Sequence, residues 1–568
     1  VDAPVVTPRP APTATITRLL RRPLLAGLVL LMAYAGLSLF NHPRGYLGTD
    51  TGGKVATLEV MGERGDFDPD VGYWAKELDP EGRVHGLYYT VKIGDRFINV
   101  TSLPVVLAAE PLWRLGGYRL ALLLPMLGAV AAAFAARALA RRLGPGDGWP
   151  AFWLVGLASP MVIYALDFWE HTIGVALMAW GVIALFDAVD RGPTWWRGTL
   201  AGLAFGAAFS MRTESAVYGV VAIGLACLVL LVGRRDLVGA LVTGATAVVG
   251  MAGMVLANAA LETAVMGATL RSGRAGGAAS SGGAQLALRA KEALVTSLSP
   301  FPALDTQSYV LAVGLALALA YVVWGSAGRR DRSLVVAAAA LVVFGYLYRL
   351  SGGLGFVPGL VATTPVAVAG LVLGWRDARS RLAVGMAVLP LPLVFLFQFP
   401  GGAAPQWAGR YILTTGLLLA AVGMARLDLV ERWVRTLLIA LSLAVTLFGV
   451  GWLAVRSHAV AAAADRLESR PEPILISPNG FVPREFGGSY GRKNWLSTGN
   501  AEDLRFAVDV VTRSSANSFA LVDLDTEGDP PAFDGWTTVG SERVPFLGGA
   551  DFKVTSYQRT APVGAMAP

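Results

Sequence analysis

The chain has a single cysteine, Cys227, inside the apolar run GLACLVLLVG. No intrachain disulfide can form, and the redox compartment stays open. Lysine is scarce, with six among 47 basic residues, and only 15% of the chain is charged. The arginines stand as scattered pairs between apolar runs, with no continuous basic face and no interleaved aromatics. The net charge of +7 is therefore not the footprint of a nucleic-acid binder. Two familiar motifs are also incomplete. GPGDG at 144–148 follows no strand and precedes no Gly-Lys-Ser/Thr, so it reads as a turn. DFDPD at 66–70 lacks the later Gly and Glu of a calcium loop and reads as a solvated turn.

What is present is apolar surface. Hydrophobic residues make up 54% of the 568 positions and the mean hydropathy is +0.54, more than one soluble core can hide, which predicts a polytopic α-helical membrane protein. About thirteen runs approach the roughly 20 residues a span needs, centred near 31, 129, 158, 180, 205, 223, 248, 317, 342, 366, 389, 417 and 445. Arg-rich connections alternate with long or acid-bearing ones. RLLRRP, ARALARRLG, DRGPTWWRG, GRRDL, GRRDRS, WRDARSR and RLDLVERWVR fall on one side, predicted cytoplasmic. Residues 41–116, LDFWEHT, MRTES, 262–308, RLSGGLGF, FPGGAAPQWAGRY and the region after 457 fall on the other. An odd span number places the N-terminus inside and the C-terminus outside. The first run lacks a small-x-small cleavage site after AYAGLSLF and is expected to be a retained anchor.

The domain reading follows. Residues 1–18, rich in Pro, Ala and Thr, form a disordered cytoplasmic tail. Residues 19–456 form the transmembrane domain, with extracytoplasmic loops 41–116 and 262–308. Residues 457–568 form a small extracytoplasmic α/β domain, with strands at ILIS, SFALVDL, WTTVG and FKVTSYQ and a helix at AEDLRFAVDVVTR. Pro471 and Pro473 mark its boundary. In the second loop, AQLALRAKEALVTSL has the pattern of a short amphipathic helix.

Polar residues gather at the outer ends of spans: Asp50 with Lys54; Asp167, Trp169, Glu170 and His171 in LDFWEHT; Arg212 and Glu214 in MRTES; Trp407, Arg410 and Tyr411 in QWAGRY. Charges at membrane depth are costly and point to function. For any one cluster alone, snorkelling to the interface is the competing reading. Four clusters on one face weaken it.

The order of these features resembles the bacterial GT-C glycosyltransferases, multi-span enzymes that use polyprenyl-phosphate sugars and include protein O-mannosyltransferases and the lipid A aminoarabinose transferase. The resemblance lies in GTDTGGKVATLEVMGERGDFD after the first span, RFINVTSLPVVLAAEPLWRLGG leading into the second, DFWEHT, the late WAGRY and a trailing outer domain. It departs at Asp50-Thr51, where many relatives have two adjacent acids, and at TSLPVV, where they have an aromatic-rich Pro-Pro stretch. Donor sugar and acceptor stay open, whether mannosyl, arabinosyl or another.

The resemblance implies transfer of a sugar from a lipid phosphate to a hydroxyl that must lose its proton. Asp50 is the candidate general base, and Glu170 is the second carboxylate for that role or for holding the acceptor hydroxyl. Arg410, Arg212, His171 and Lys54 are candidates for the donor phosphate, which suits arginine's fork. Trp407, Tyr411, Trp169 and Glu214 are candidates for sugar or lipid, although an interfacial aromatic belt explains the rings equally well. No cofactor is required, and a divalent metal bridging a carboxylate to the phosphate is an optional addition. The expected partners are a polyprenyl-phosphate sugar donor, an envelope glycan, glycolipid or protein acceptor, and membrane lipids. The alternatives are a transporter or flippase, against which the lack of paired repeats argues, and a non-catalytic envelope assembly protein. The Ala/Arg/Gly-rich composition points to a high-GC bacterium of the actinobacterial kind.

Overall fold

The computed structural model describes residues 21–270, 286–298, 306–355, 357–397, 407–524, 527–547 and 550–560. The expected N-terminal tail and the Gly/Ser-rich SGRAGGAASSGG lie outside them. Among the described residues, nine helices are long and apolar enough to cross a membrane: Leu123–Leu143, His171–Arg191, Ser215–Gly233, Leu237–Met266, Tyr309–Ala327, Arg332–Leu350, Ala378–Leu396, Arg410–Leu429 and Arg432–Glu468. The four other expected spans are present as shorter or broken helices. Pro23–Ser38 and Trp195–Met211 have 16 and 17 residues. The run at 149–165 breaks at Ser159-Pro160, and the run at 360–373 breaks at Thr364-Pro365. The cause is the same at both breaks, because proline has no N–H to donate and drives the residue before it out of the helical region. At the first, the Ser159 hydroxyl accepts the Met161 amide at 3.2 Å and caps the new helix.

The bundle is apolar outward. Val249 and Leu256 on Leu237–Met266 are 70% and 69% exposed, while Asn258 and Glu262 on the same helix are buried. Such a helix is stable only with hydrocarbon around its outer face. Its inner face packs on Trp195–Met211, where side chains at Gly198, Gly202 and Gly206 would overlap the backbone around Thr243, Ala247 and Met251. This small-residue stripe brings two helices together where apolar burial alone gives no driving force.

The final helix, Arg432–Glu468, has 37 residues and so spans about 55 Å, well beyond a hydrocarbon core of about 30 Å. The excess enters the C-terminal domain, where Val460, Ala463, Ala464 and Leu467 share a core with Leu475, Trp495, Ala520 and Phe552. That domain holds a five-stranded sheet. Asn494–Ser497, Ile474–Ser477 and Ser518–Asp523 run parallel, followed by Ala550–Arg559 and Trp536–Leu547 antiparallel. The four expected strands are present, and Asn494–Ser497 is an addition that NWLS is too short and too polar to announce. Helix Ala501–Arg513 matches AEDLRFAVDVVTR, capped by the Asn500 side chain on the Asp503 amide at 2.8 Å.

The loop after the first helix folds onto this domain. It carries helix Thr49–Arg64 and the hairpin Thr90–Ile93/Arg96–Asn99. It also adds to the sheet: the Ser497 amide donates to the Val84 carbonyl at 3.1 Å, and the Trp74 indole donates to the Trp495 carbonyl at 3.2 Å. In DFDPD, the carboxylates of Asp66, Asp68 and Asp70 accept the amides of Asp68, Asp70 and Gly72, which is the chemistry of successive turns.

Candidate active site

The site lies where this outer layer meets the bundle. Asp50 stands in the first turn of Thr49–Arg64, and Lys54 stands one turn later on the same face. The Asp50 Oδ2 takes the Arg410 Nη1 at 2.7 Å, and Lys54 Nζ meets Glu170 Oε2 at 2.6 Å. Glu170 is the residue before helix His171–Arg191. Its Oε1 lies 3.4 Å from Arg212 Nη1, and Arg212 Nε pairs with Glu214 at 2.9 Å. A chain of alternating charge thus runs from Arg410 through Asp50, Lys54, Glu170 and Arg212 to Glu214. Apart from Asp50, whose side chain is 35% exposed, its members are nearly or wholly shielded from solvent.

Aromatic faces surround the cations. The Arg410 guanidinium lies 5.7 Å from the Trp169 ring and 4.8 Å from Tyr411, Arg212 lies 4.9 Å from Tyr411, and Lys54 lies 6.0 Å from Trp169. Such faces stabilise a desolvated cation without competing for its hydrogen bonds. Arg410 leads into Leu413–Arg426 from a turn with Ala408 and Gly409 at φ 57° and 65°. Gly409 packs against Thr296 of helix Leu286–Leu298, which has no room for a side chain there.

His171 is buried between Tyr164 and Trp169, at ring separations of 4.8 and 4.6 Å. Among the described residues neither of its nitrogens has a hydrogen-bond partner, an expensive condition for a buried imidazole. Asp167, three residues earlier than Glu170, does something different. It accepts the Leu47 amide at 2.9 Å, the Tyr118 hydroxyl at 3.1 Å and the Thr51 hydroxyl, and so pins the start of the helix that carries Asp50.

Nine of the ten expected residues therefore converge. Trp407 is set apart: its carbonyl accepts the Tyr164 hydroxyl at 2.6 Å, and its buried ring packs on Trp452 and Phe448. Sequence reading missed Arg484, from the C-terminal domain, whose Nη1 lies 3.9 Å from Asp50 Oδ1. It also missed Arg456, which donates to the Tyr46 carbonyl at 3.0 Å and pairs with Glu485. No local signal in FVPREFGGSY marks Arg484, because its partner is distant in sequence.

The charge arrangement sets the state of Asp50. Burial pushes its carboxyl up, but Arg410, Arg484 and Lys54 outweigh that and hold it down to about 2. It is ionised at every physiological pH. Among the described residues no group of three or more metal-type ligands occurs.

No protein-family model matches the chain, and no curated protein matches it in sequence. Among solved structures it is similar to the oligosaccharyltransferase of Archaeoglobus fulgidus in complex with zinc and sulfate, at 11% identity and a TM-score of 0.42 over 87% of this chain and 68% of that one. It is also similar to ArnT from Cupriavidus metallidurans bound to undecaprenyl phosphate, at 11% identity and a TM-score of 0.39, and to the same protein in the apo state, at 14% and 0.36. Each of these two matches covers 96% of this chain and 98% of the other.

Proposed function

We propose that the chain is a multi-pass bacterial inner-membrane glycosyltransferase. It would move a hexosyl or pentosyl group from a polyprenyl-phosphate donor to an envelope glycan, glycolipid or protein on the extracytoplasmic face. The observation that carries this reading is the coupling of Asp50 to Arg410 at 2.7 Å beside Lys54 and Glu170. A proton acceptor and phosphate-seeking cations share one shielded cluster at the end of an apolar bundle.

In the reaction the acceptor oxygen attacks the anomeric carbon and the bond from that carbon to the phosphate oxygen breaks. The lipid phosphate leaves with the electron pair, and a carboxylate takes the hydroxyl proton. Asp50 at about 2 is a weak base while Arg410 rests on it. A donor phosphate competes for the same guanidinium, which offers a fork suited to two oxygens. Arrival of the donor thus loosens Arg410 from Asp50 and strengthens the base when a substrate is present. Glu170 with Lys54 and Arg212 repeats the arrangement one step deeper, where it would hold the acceptor hydroxyl. His171 offers its nitrogens to a sugar hydroxyl or phosphate oxygen. Tyr411, partly exposed, supplies a face on which a sugar ring or the first isoprene units would lie, while the buried Trp169 backs the cations and Trp407 supports the wall behind them. Side-chain cations already cap both carboxylates, and in this reading the proton and the leaving phosphate are handled by side chains.

The experiment is to incubate membranes containing the protein with a panel of polyprenyl-phosphate sugars and identify products by mass spectrometry. A sugar joined to an envelope acceptor supports the reading. Movement of the labelled lipid between leaflets with no transferred sugar would replace it with a flippase.

A further inference from the structure

The C-terminal domain meets the helix bearing Asp50 backbone to backbone. A methyl group on Gly52 would overlap the Arg484 carbonyl oxygen, and one on Gly487 would overlap the Gly52 carbonyl, so only glycine permits this approach. The contact is reinforced by Arg456 on Glu485 and by the run of helix Arg432–Glu468 into the domain's own core. Membrane bundle and outer domain are thereby joined by a helix without a flexible linker.

This docking delivers one side chain to the site. Arg484, in the short helix Phe481–Glu485, is 2% exposed. Its guanidinium runs beside Gly53 and Asn99 and lies 5.3 Å from the Tyr89 ring. Its Nη1 faces Asp50 Oδ1 at 3.9 Å, whereas Arg410 holds Oδ2 at 2.7 Å. The two arginines take opposite oxygens of one carboxylate, one from the membrane bundle and one from the outer domain.

We propose that Arg484 is a positioning residue of the active site, supplied by the C-terminal domain, which keeps the Asp50 carboxylate ionised and aimed when the donor phosphate draws Arg410 away. The part concerning the donor rests on the reading of Arg410 given above. The grip of Arg484 on Asp50 does not. The other charged groups facing Asp50 are Lys54 on its own helix, Arg410 on the turn before Leu413–Arg426, and Glu170 before helix His171–Arg191. Lys54 is engaged by Glu170, and Arg410 is the cation that a phosphate recruits. Arg484 is left as the counter-ion that stays.

A carbodiimide reacts with protonated carboxyls, so the pH at which Asp50 becomes labelled, read by peptide mass spectrometry on the full-length protein, reports its ionisation. Asp50 in the unaltered protein should remain unlabelled down to about pH 4, two units above its value of about 2. In Arg484→Gln the onset should rise by about 1–3 pH units, the range for losing an adjacent arginine. Arg484→Lys should restore most of the parent profile. Arg505→Gln, which removes an exposed arginine from helix Ala501–Arg513 of the same domain, should leave it unchanged. Coincident profiles for Arg484→Gln and the parent, or an equal shift from Arg505→Gln, would overturn the proposal. If Gln loosens the domain to protease, Arg484→Met retains the apolar stem and carries the same two outcomes. Turnover plays no part in the readout, so a wrong assignment of Asp50 as base leaves the test intact.

Discussion

Asp50 and Arg410, separated by 360 positions in the chain, form an ion pair at 2.7 Å between the first turn of one helix and the turn that introduces another. Each is costly alone at the edge of a membrane, and each compensates the other's charge; in the proposed transfer they are the base and the phosphate cation.

The pair makes Asp50→Asn informative in two ways. Turnover should fall by about 10²-fold or more, the range for losing a general base. Binding of the proposed polyprenyl-phosphate donor should survive or tighten, because Arg410 loses its resident carboxylate. Full turnover in Asp50→Asn alongside a dead Glu170→Gln would exchange the roles of the two acids.

Arg410→Lys separates a fork from a point charge. A snorkelling anchor needs only a cation on a long stem, whereas a two-oxygen contact needs the planar guanidinium. Affinity for the proposed polyprenyl-phosphate donor should drop by about 1.5–3 kcal/mol, the range for a hydrogen bond to a charged group, with expression unchanged. A folded Lys variant that binds as tightly as the parent moves the phosphate role to Arg212.

Gly52→Ala tests the seam between the layers. The added methyl would overlap the Arg484 carbonyl and crowd the Gly487 amide, and forcing it in should cost about 1–3 kcal/mol as overpacking. The expected signs are a lower thermal midpoint and faster release of the C-terminal domain by trypsin. A midpoint equal to that of the parent would show that the seam has slack.

His85 gives the outer layer a pH dependence. Burial pushes its imidazole down from 6.5 to about 4. Its Nδ1 accepts the Leu87 amide at 3.1 Å and its Nε2 faces the Gly72 carbonyl at 2.9 Å, which fixes the neutral tautomer. Because the folded value lies below the unfolded one, the unfolded chain takes the proton first. The contribution is complete above about pH 6.5 and is lost as the pH falls toward 4. Thermal unfolding in detergent at pH 7 and pH 5 should show a larger loss for the parent than for His85→Gln. Equal losses would remove His85 from the account.

Orientation is open to a labelling test. Gly499 is exposed and a side chain there meets nothing within 4 Å, so Gly499→Cys fits without overlap, and Cys227→Ala removes the other thiol. An impermeant maleimide should label it in intact spheroplasts. Labelling only after lysis puts the C-terminal domain, and the site with it, on the cytoplasmic side.

What the sequence determined alone follows from local rules. Apolar runs of bilayer length and the β-rich tail depend on residues close together in the chain, and they specify a helical membrane bundle followed by an α/β domain. Nine of the ten residues named from the sequence come together in the structure, the charged ones because a charge at the end of an apolar run is costly unless it finds a partner. Tertiary structure decided the rest. Ser159-Pro160 and Thr364-Pro365 break two expected spans, Trp407 turns into the bundle beside Phe448 and Trp452, and Asp167 ties down a helix instead of joining the charge chain. Arg484 is the clearest case. Its place opposite Arg410 on Asp50 depends on two glycines, 52 and 487, letting distant segments touch through their backbones, and a contact made by the absence of side chains leaves no periodic pattern to read.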